Sequence, residues 1–462
     1  MKNIKQKKRV LILGLGQFAK GSGISAALYF ARLGHSIRVT DQKSEHDLAA
    51  NVKRLKRFKN VVFVLGRHRL SDIRWADIIV RNPRVRPDSP EMVLASRLGK
   101  QVESDISLFL KNCPCPVVGV TGTRGKSTTT GLIGDMLEKS GFRTWIGGNI
   151  LVSPLTFASK VRAGDKVVLE LSSWQLESTG LLGQSPHIAV ITNLMRDHLN
   201  SYENMEAYAE AKAQIFRHQK PNDFLVLNSN DLFCKKFAPE APSEVLFFGA
   251  DKKNDAVLTK DFLVWKDRGS AKKLIRLERK RLKLMGDHNA LNVLAAGLTA
   301  RLAGANWPAI KRSAISFKGL ENRLETIRAW HGITFINDTT ATTPDATIAA
   351  IKALKPKFKK IHLLMGGADK VLEFDGLTKE LKAANVSISV FEGTAYEKIA
   401  KALKKRGIPF YKANSLRAAF AQHLKNAVAG DAVILSPGCA SFGMFKNEFD
   451  RGEQFKKIVK KQ

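Results

Sequence analysis

Cysteine is scarce in this chain: four residues in 462, at positions 113, 115, 234 and 439. That is too few for a disulfide scaffold at this length, and the Cys113-Pro-Cys115 pair has no second pair with which to build a zinc site. No uninterrupted apolar run approaches the ~20 residues of a membrane-spanning helix, so insertion in a membrane is not expected. The lysine-rich start and Val10-Leu-Ile-Leu13 imitate a secretory signal. The run is short, however, and breaks into Gly14-Leu-Gly16 with no small-residue cleavage site, which reads as a first strand entering a turn. A cytoplasmic protein is expected.

Acidic residues are also in short supply. Asp+Glu number 42 against 76 Lys+Arg, a formal net charge of +34. Such an excess raises nucleic acid or an anionic membrane surface as partners. Yet the chain shows no zinc finger, no RNA-recognition signature and no basic stripe interleaved with aromatics. Its cations are spread along the whole length, with clusters at Lys2 to Arg9 and Lys456 to Lys461. Charge alone reports only non-specific attraction. Anionic substrates are the simpler reading, and nucleic acid is not expected as the main partner.

What is present is a folded α/β composition, 44% hydrophobic and 26% charged. Short apolar runs (Val10 to Leu13, Ile37 to Thr40, Val61 to Leu65, Ile78 to Val80) alternate with amphipathic segments such as Gly23 to Leu33, the pattern of parallel βα units. The pattern restarts at Val117 to Thr121 after the linker-like Lys111-Asn-Cys-Pro-Cys-Pro116, and again near Gly319. Three α/β domains are expected, at 1–111, 112–318 and 319–462. The first would be Rossmann-like and bind a nucleotide, the second a P-loop ATPase-like domain, the third Rossmann-like again.

Two glycine loops carry the chemistry. Gly14-Leu-Gly16-Gln-Phe-Ala19 fits G-x-G-x-x-G/A between a strand and a helix, with Asp41 closing the next strand where an acidic side chain meets a ribose hydroxyl. Any nucleotide diphosphate satisfies the same physics, and a bare βα turn is the plain alternative. Gly122-Thr-Arg-Gly125-Lys126-Ser127-Thr128 is sharper. Backbone N–H groups there cradle phosphates, Lys126 neutralises β- and γ-oxygens, and the Ser127 hydroxyl suits Mg²⁺. It is a variant phosphate loop, since Val120 stands where a Walker A motif begins with glycine. Downstream, Glu170 ends one strand and Thr192-Asn-Leu-Met-Arg-Asp197-His198 follows the next. That places Glu170, Asp197 and His198 on one sheet edge, where ligands bind in open α/β sheets and where a carboxylate is a good magnesium ligand. Lys212, in Tyr208-Ala-Glu-Ala-Lys212, reads by itself as an exposed helix lysine.

Taken in order, these motifs resemble the Mur ligases, amide-forming enzymes of bacterial cell-wall precursor synthesis. The match runs through Thr121 to Thr128, Gly147-Gly-Asn149, Leu169-Glu-Leu-Ser-Ser-Trp-Gln-Leu-Glu177, Asp197-His198, Tyr208 to Lys212 and Gly286-Asp-His-Asn289-Ala-Leu-Asn292. It continues through Asn322-Arg323, Asn337-Asp338 and Leu435-Ser-Pro-Gly-Cys-Ala-Ser441. The serine-rich run and the complete N-terminal nucleotide fold are most similar to the branch that adds D-glutamate to UDP-N-acetylmuramoyl-L-alanine. The resemblance implies an ADP-forming, ATP-dependent ligase working through an acyl phosphate. It places Gly14, Leu15, Gly16, Gln17 and Asp41 near the uridine nucleotide, and Asn149, Ser172, Ser173, Gln175 and His198 at the muramoyl arm or its diphosphate. ATP falls to Gly122, Thr123, Arg124, Gly125, Lys126, Ser127 and Thr128, with Asn289 and Asn292 at the adenine nucleotide and Arg323 and Asp338 over phosphate and ribose. Two Mg²⁺ ions are implied, held by Ser127, Glu170, His198 and a Lys212 that CO₂ has converted to a carbamate. A monomer is expected.

The amino-acid pocket departs from the family form. Asn337-Asp-Thr-Thr340-Ala-Thr342-Thr343 carries threonine where the D-glutamate branch has lysine, and Lys446-Asn447-Glu448-Phe449 inverts the usual Phe-Glu order. Thr342, Lys370 and Ser441 remain as candidate contacts to the incoming amino acid. D-glutamate is the expected substrate and L-glutamate the alternative. Among rivals, a nucleotide-dependent dehydrogenase leaves Lys126 unexplained. A nucleic-acid-stimulated ATPase rests on charge alone, and folate-polyglutamate-type ligases lack such a first domain.

Overall fold

The computed structural model describes residues 7–150, 152–197, 201–267, 273–369 and 372–462. Three sheets carry the chain. The first has five parallel strands in the order β3-β2-β1-β4-β5: β1 (Arg9–Leu13), β2 (Ser36–Asp41), β3 (Val61–Leu65), β4 (Ile78–Arg81) and β5 (Gln101–Glu103). Val10, Leu11 and Ile12 are fully buried, as expected where helices cover both faces of a parallel sheet. The helix Ser22–Arg32 turns Ile24, Ala27, Phe30 and Ala31 into the core. Each large apolar side chain so buried contributes roughly 1.5–3 kcal/mol.

Here the G-x-G-x-x-A reading needs amendment. The helix does not start at Ala19; Gly21 is its N-cap. The glycine that lets helix and strand approach is Gly23, whose added Cβ would lie 2.0 Å from the Gly14 carbonyl oxygen. The extra residues between Ala19 and Gly23 lengthen the loop by about one turn and move the close-packing position with them.

The second sheet has nine strands in the order β14-β13-β12-β11-β10-β9-β6-β8-β7. They are β6 (Val117–Thr121), β7 (Thr144–Gly148), β8 (Lys166–Glu170), β9 (Ile188–Ile191), β10 (Phe224–Asn228), β11 (Glu244–Gly249), β12 (Ala256–Leu258), β13 (Phe262–Lys266) and β14 (Leu274–Glu278). β6 to β12 run parallel, and β13 and β14 add an antiparallel edge. β6 is buried throughout and sits between β8 and β9. The C-terminal ends of β6, β8 and β9 therefore open side by side, which is the placement expected for the phosphate loop, Glu170 and Asp197. One buried cluster joins both sheets, from Ile12 and Phe30 through Ile106, Phe109 and Cys115 to Phe157 and Val167.

The third sheet is β15-β16-β20-β17-β18-β19, with β15 (Glu325–Trp330) antiparallel and β16 (Ile333–Asn337), β17 (Ile361–Met365), β18 (Val386–Phe391), β19 (Tyr411–Ala413) and β20 (Ala432–Leu435) parallel. Separate apolar clusters cover its two faces. The chain divides into two compact units, 1–280 with 291–315 and 281–290 with 316–462. The first two sheets lie in the first unit and the third sheet in the second. Among the described residues no helix is long and apolar enough to cross a membrane.

Candidate active site

The phosphate loop is shaped by contacts that only glycine permits. Gly122 has φ +140°, and an added Cβ would lie 2.0 Å from the Thr192 hydroxyl; Gly125 has φ +82°, and its Cβ would lie 2.3 Å from Asn292 Oδ1. Asn292, expected at the adenine nucleotide, thus packs under the loop, and its Oδ1 also accepts from Thr129 Oγ1. The segment after β9 clamps the other side. Asn193 accepts from the N–H of Thr123 through its carbonyl, at 2.9 Å, and from the N–H of Arg124 through Oδ1, also at 2.9 Å. Thr192 Oγ1 and Asn193 Nδ2 donate to the Arg124 carbonyl at 2.6 and 3.0 Å. Gly125 then caps the helix Lys126–Lys139 without any side-chain acceptor. The first turn of a helix leaves N–H groups without intrahelical partners, and its dipole favours an anion there. Lys126 Nζ folds over the loop, donating to the carbonyls of Gly122 and Thr123 at 2.9 and 3.0 Å. Ser127 and Thr128 follow in the first turn, each 8% exposed.

Glu170 ends β8 and is buried. Its Oε1 accepts from Asn149 Nδ2 at 2.9 Å; among the described residues its Oε2 has no hydrogen-bond partner. A buried carboxylate oxygen left unpaired is costly, and a hard divalent cation is the partner that would satisfy it. Asn149 reaches Glu170 because Gly148, at φ +97°, carries no Cβ to strike the Glu170 carbonyl 2.1 Å away. Asn149, expected at the muramoyl arm, holds the metal-ligand candidate through this bond.

Lys212 is not the exposed helix lysine its sequence suggests. On the helix Met205–Ala213 it is 2% exposed, with Nζ 4.7 Å above the Tyr208 ring. Burial first, and the charge of Lys126 second, push its pKa well below the ordinary lysine value; Asp197 and Glu170 act the other way. Tyr208, raised to about 12 by burial, shares a hydrogen bond with Thr123 Oγ1 at 3.3 Å. Arg124 pairs with Asp197 at 3.5 Å. His198 lies outside the described residues. Among those described, no three His, Cys, Asp or Glu side chains gather as a ready-made metal cage.

At the first sheet, Gly14 and Gly16 take φ +92° and +74°. Asp41 spends its carboxylate on the loop, accepting from the N–H of Gly16 at 3.0 Å and of Lys43 at 2.9 Å. Asn51 and Asn82, which the sequence did not single out, donate to the carbonyls of Gly16 (2.8 Å) and Gly14 (3.2 Å). Leu15 is fully buried, so it can offer a ligand only backbone. Gln17 is exposed and accepts from Lys43 Nζ at 2.6 Å. Ser172 and Gln175 cap each other at the start of the helix Ser173–Gly180, and Ser173 is buried beside them. Arg81, at the end of β4, is buried; its guanidinium donates to the Val85 carbonyl and to the Ser178 hydroxyl on that same helix, tying the first sheet to the second.

In the second unit the turn carrying Arg323 is strained. Asn322 and Leu324 have φ +68° and +44°, a region non-glycine residues avoid unless their surroundings hold them there. Asp338 does part of that holding, with Oδ1 accepting from the N–H of Leu324 at 3.1 Å and Oδ2 from the Ser436 hydroxyl at 2.8 Å. Arg323 itself is exposed. Asn289 donates to the Met285 carbonyl at 2.8 Å. The loops bearing Thr342 and Ser441 meet through Gly438 N–H to the Ala341 carbonyl at 2.9 Å. Arg451 pins both: fully buried, it donates to the hydroxyl and carbonyl of Thr339 at 3.0 and 2.8 Å and to the Cys439 and Ala440 carbonyls at 3.3 and 3.4 Å. Its position in the helix Glu448–Lys460 gave no sequence signal of this. Lys370 lies outside the described residues.

Comparison with known proteins agrees with this geometry in all three sheets. Residues 8–104 match the Mur ligase MurD-like N-terminal domain, 120–300 the Mur ligase middle domain, and 322–439 the Mur ligase glutamate ligase domain. The chain is 40% identical over 467 residues to the UDP-N-acetylmuramoylalanine--D-glutamate ligase of Roseiflexus sp. (strain RS-1), covering 98% of each. It is 36% identical to the enzyme of that name from Acetivibrio thermocellus, over 99% of this chain and 97% of that one. Among solved structures, UDP-N-acetylmuramate-alanine ligase MurC from Thermotoga maritima superposes with a TM-score of 0.62 at 20% identity, covering 99% of this chain and all of that one. MurF from Acinetobacter baumannii gives 0.64 at 19%, covering all of this chain and 95% of that one. The protein therefore belongs to the Mur ligase family of ATP-dependent ligases in peptidoglycan synthesis.

Proposed function

We propose that this ligase adds D-glutamate to UDP-N-acetylmuramoyl-L-alanine, with ATP and Mg²⁺, through an acyl phosphate. The carrying observation is the unpartnered buried Glu170 oxygen on the same sheet edge as the phosphate loop. The near-full-length relatives named for D-glutamate support the amino acid.

A carboxylate is a poor acyl donor. In this reading the terminal alanyl carboxylate oxygen attacks the γ-phosphorus, the bond to the β-γ bridging oxygen breaks, and ADP leaves. The amino group of glutamate then attacks the acyl carbon, loses a proton, and inorganic phosphate departs with the former carboxylate oxygen. Lys126 and the first-turn N–H groups offset charge on the transferring phosphoryl group. Bound there, Mg²⁺ would supply further charge neutralisation; a single buried carboxylate beside the phosphate loop suits an ion that takes one or two carboxylates plus substrate phosphates rather than an all-protein cage. Ser127, Glu170 and His198 are the proposed ligands.

Lys212 completes the set as a carbamate. Burial disfavours the ammonium form of Lys212, and a free amine is a nucleophile toward CO₂: its nitrogen bonds to the carbon, a proton is lost, and the side chain becomes an anion. Asn149 positions Glu170; Asn289, Asn292, Arg323 and Asp338 keep nucleotide-contacting roles; Thr342, Lys370 and Ser441 keep the amino acid. Boundaries at 111/112 and 318/319 and a monomeric cytoplasmic enzyme belong to the same reading.

Phosphate release with ATP, Mg²⁺ and UDP-N-acetylmuramoyl-L-alanine tests it, comparing D-glutamate, L-glutamate and no amino acid. Release that depends on D-glutamate is expected. Dependence on L-glutamate alone would keep the ligase and reassign the pocket, where Thr340 turns its hydroxyl to the Asn322 carbonyl at 2.9 Å. No release with either would remove the reading.

A further inference from the structure

The Cys113-Pro-Cys115 segment takes no part in the ligase chemistry, and its geometry is unlike that of the other cysteines. It joins the helix Asp105–Asn112 to β6, whose far end opens the phosphate loop. The two sulfurs lie 3.7 Å apart. Cys113 is half-buried, while Cys115 is 7% exposed and packs in the core shared by the first two sheets. Cys234 and Cys439 are fully buried and each far from a second thiol in sequence; burial pushes both up, Cys439 to about 12. At Cys113 the hydrogen bond from the Cys115 thiol acts first and lowers the pKa, while the same contact raises Cys115. A reachable, more acidic thiol beside a shielded partner is the arrangement of a reactive cysteine and its resolving cysteine.

We propose that Cys113 and Cys115 form a reversible disulfide, a redox modification site in the linker between the first and second sheets. With a peroxide as oxidant, the Cys113 thiolate attacks one peroxide oxygen, the O–O bond breaks, and the departing hydroxide takes up a proton as water. The Cys115 sulfur then attacks the Cys113 sulfenic sulfur; the S–S bond forms, the S–O bond breaks, and the oxygen leaves with the Cys115 proton as a second water. Two thiols lose two electrons and one peroxide is reduced. Closure needs the sulfurs to approach to about 2.05 Å, within a segment, residues 113–116, that belongs to no strand or helix. A ring spanning only one intervening residue is strained, which makes the bond easily reduced and suits reversible use.

The test uses the full-length protein, reduced and then treated with equimolar hydrogen peroxide, denatured, alkylated and digested with trypsin. Cleavage after Lys111 and Arg124 places both thiols in one peptide, residues 112–124. The expected result is loss of two hydrogens from that peptide, escape of both its sulfurs from alkylation, and recovery with dithiothreitol, while Cys234 and Cys439 stay alkylatable. A Cys115→Ser variant should instead hold a sulfenic acid at Cys113 that dimedone traps. A peptide 112–124 that stays fully alkylated, or wild-type Cys113 oxidised past the sulfenic stage without a disulfide, would overturn the proposal.

Discussion

The two glycine loops of the first unit solve one backbone problem and differ in what they add to it. Each follows a parallel strand, bends through positive-φ glycines and feeds a helix. In the first, the restraining groups are Asp41, Asn51 and Asn82, and each makes a hydrogen bond to the loop backbone. Its one lysine, Lys20, precedes the N-cap Gly21 and does not open the helix as Lys126 does, and the eight residues from Gly14 to Gly21 make the loop long. In the second, Thr192, Asn193 and Asn292 do the restraining, and the loop adds Lys126 and two hydroxyls at the helix start. A shaped backbone is enough to hold an anionic group still. Moving a phosphoryl group also needs charge that meets the transition state. On the proposed function the first loop is thus a recognition device and the second a reaction device.

Substitutions that separate binding from turnover sharpen this contrast. The largest effect is expected at Lys126. Lys126→Met should lower kcat by about 10³-fold, the scale for loss of one charge-stabilising donor, with KM for the UDP substrate unchanged in the phosphate-release assay. A KM effect alone would make Lys126 a binding group and erase the distinction. Next is Lys212→Ala. Loss of the proposed carbamate ligand should cost about 10²-fold in rate, with partial recovery in added formate. Full activity without any rescue would sink the carbamate. Asn193→Ala comes third. It frees the Arg124 N–H and carbonyl that the Asn193 amide holds, while the Thr123 N–H keeps the backbone carbonyl of residue 193, and about 2–3 kcal/mol of lost positioning should appear in kcat rather than in the KM for the UDP substrate.

The strand-loop-helix units were legible because they are local. Apolar runs, glycines and the Lys126-Ser127 pair lie within a few residues of each other and read as a phosphate loop even with Val120 breaking the Walker pattern. What was not legible is what tertiary contact decides. Asn193 acts on a loop some seventy residues away, at Thr123 and Arg124, and no local spacing announces it. Lys212 has the sequence environment of an exposed helix lysine; packing against Tyr208 and the neighbouring strand ends makes it a buried amine. The extra residues Lys20-Gly-Ser-Gly23 are visible in the sequence and predict displaced uridine contacts, but that Gly23 rather than Ala19 fills the third position of the first motif is decided by packing. Arg451 looks like one more basic residue in a basic chain and proves to be the buried anchor of two loops.

Asp41 tests the recognition side. Its carboxylate accepts a charge-assisted bond from the Gly16 N–H, a class worth about 1.5–3 kcal/mol. Asp41→Asn should therefore raise KM for the UDP substrate by about tenfold or more while leaving kcat in place. A fall in kcat of the same size would mean that the first loop also acts in the transition state.

The smallest effect separates two meanings of Gln17. Its side chain is exposed, accepts from Lys43 Nζ and donates to the Asp47 carbonyl at 3.3 Å. Bonds of this exposed kind are worth about 0.5 kcal/mol, so if Gln17 only braces the loop, Gln17→Ala should raise KM for the UDP substrate about twofold. If the amide instead turns to the uridine nucleotide when substrate binds, removing it leaves a ligand group unpaired, and the increase should approach tenfold. Measuring KM in Gln17→Ala and in Lys43→Ala distinguishes the cases. Lys43→Ala removes the brace and leaves the amide in place, so equal small effects in both variants identify a brace. A large effect in Gln17→Ala alone identifies a ligand contact. The second outcome would mean that the longer first loop presents a side chain to the substrate as well as a shaped backbone, so the two loops would differ less in kind than in the charge each one carries.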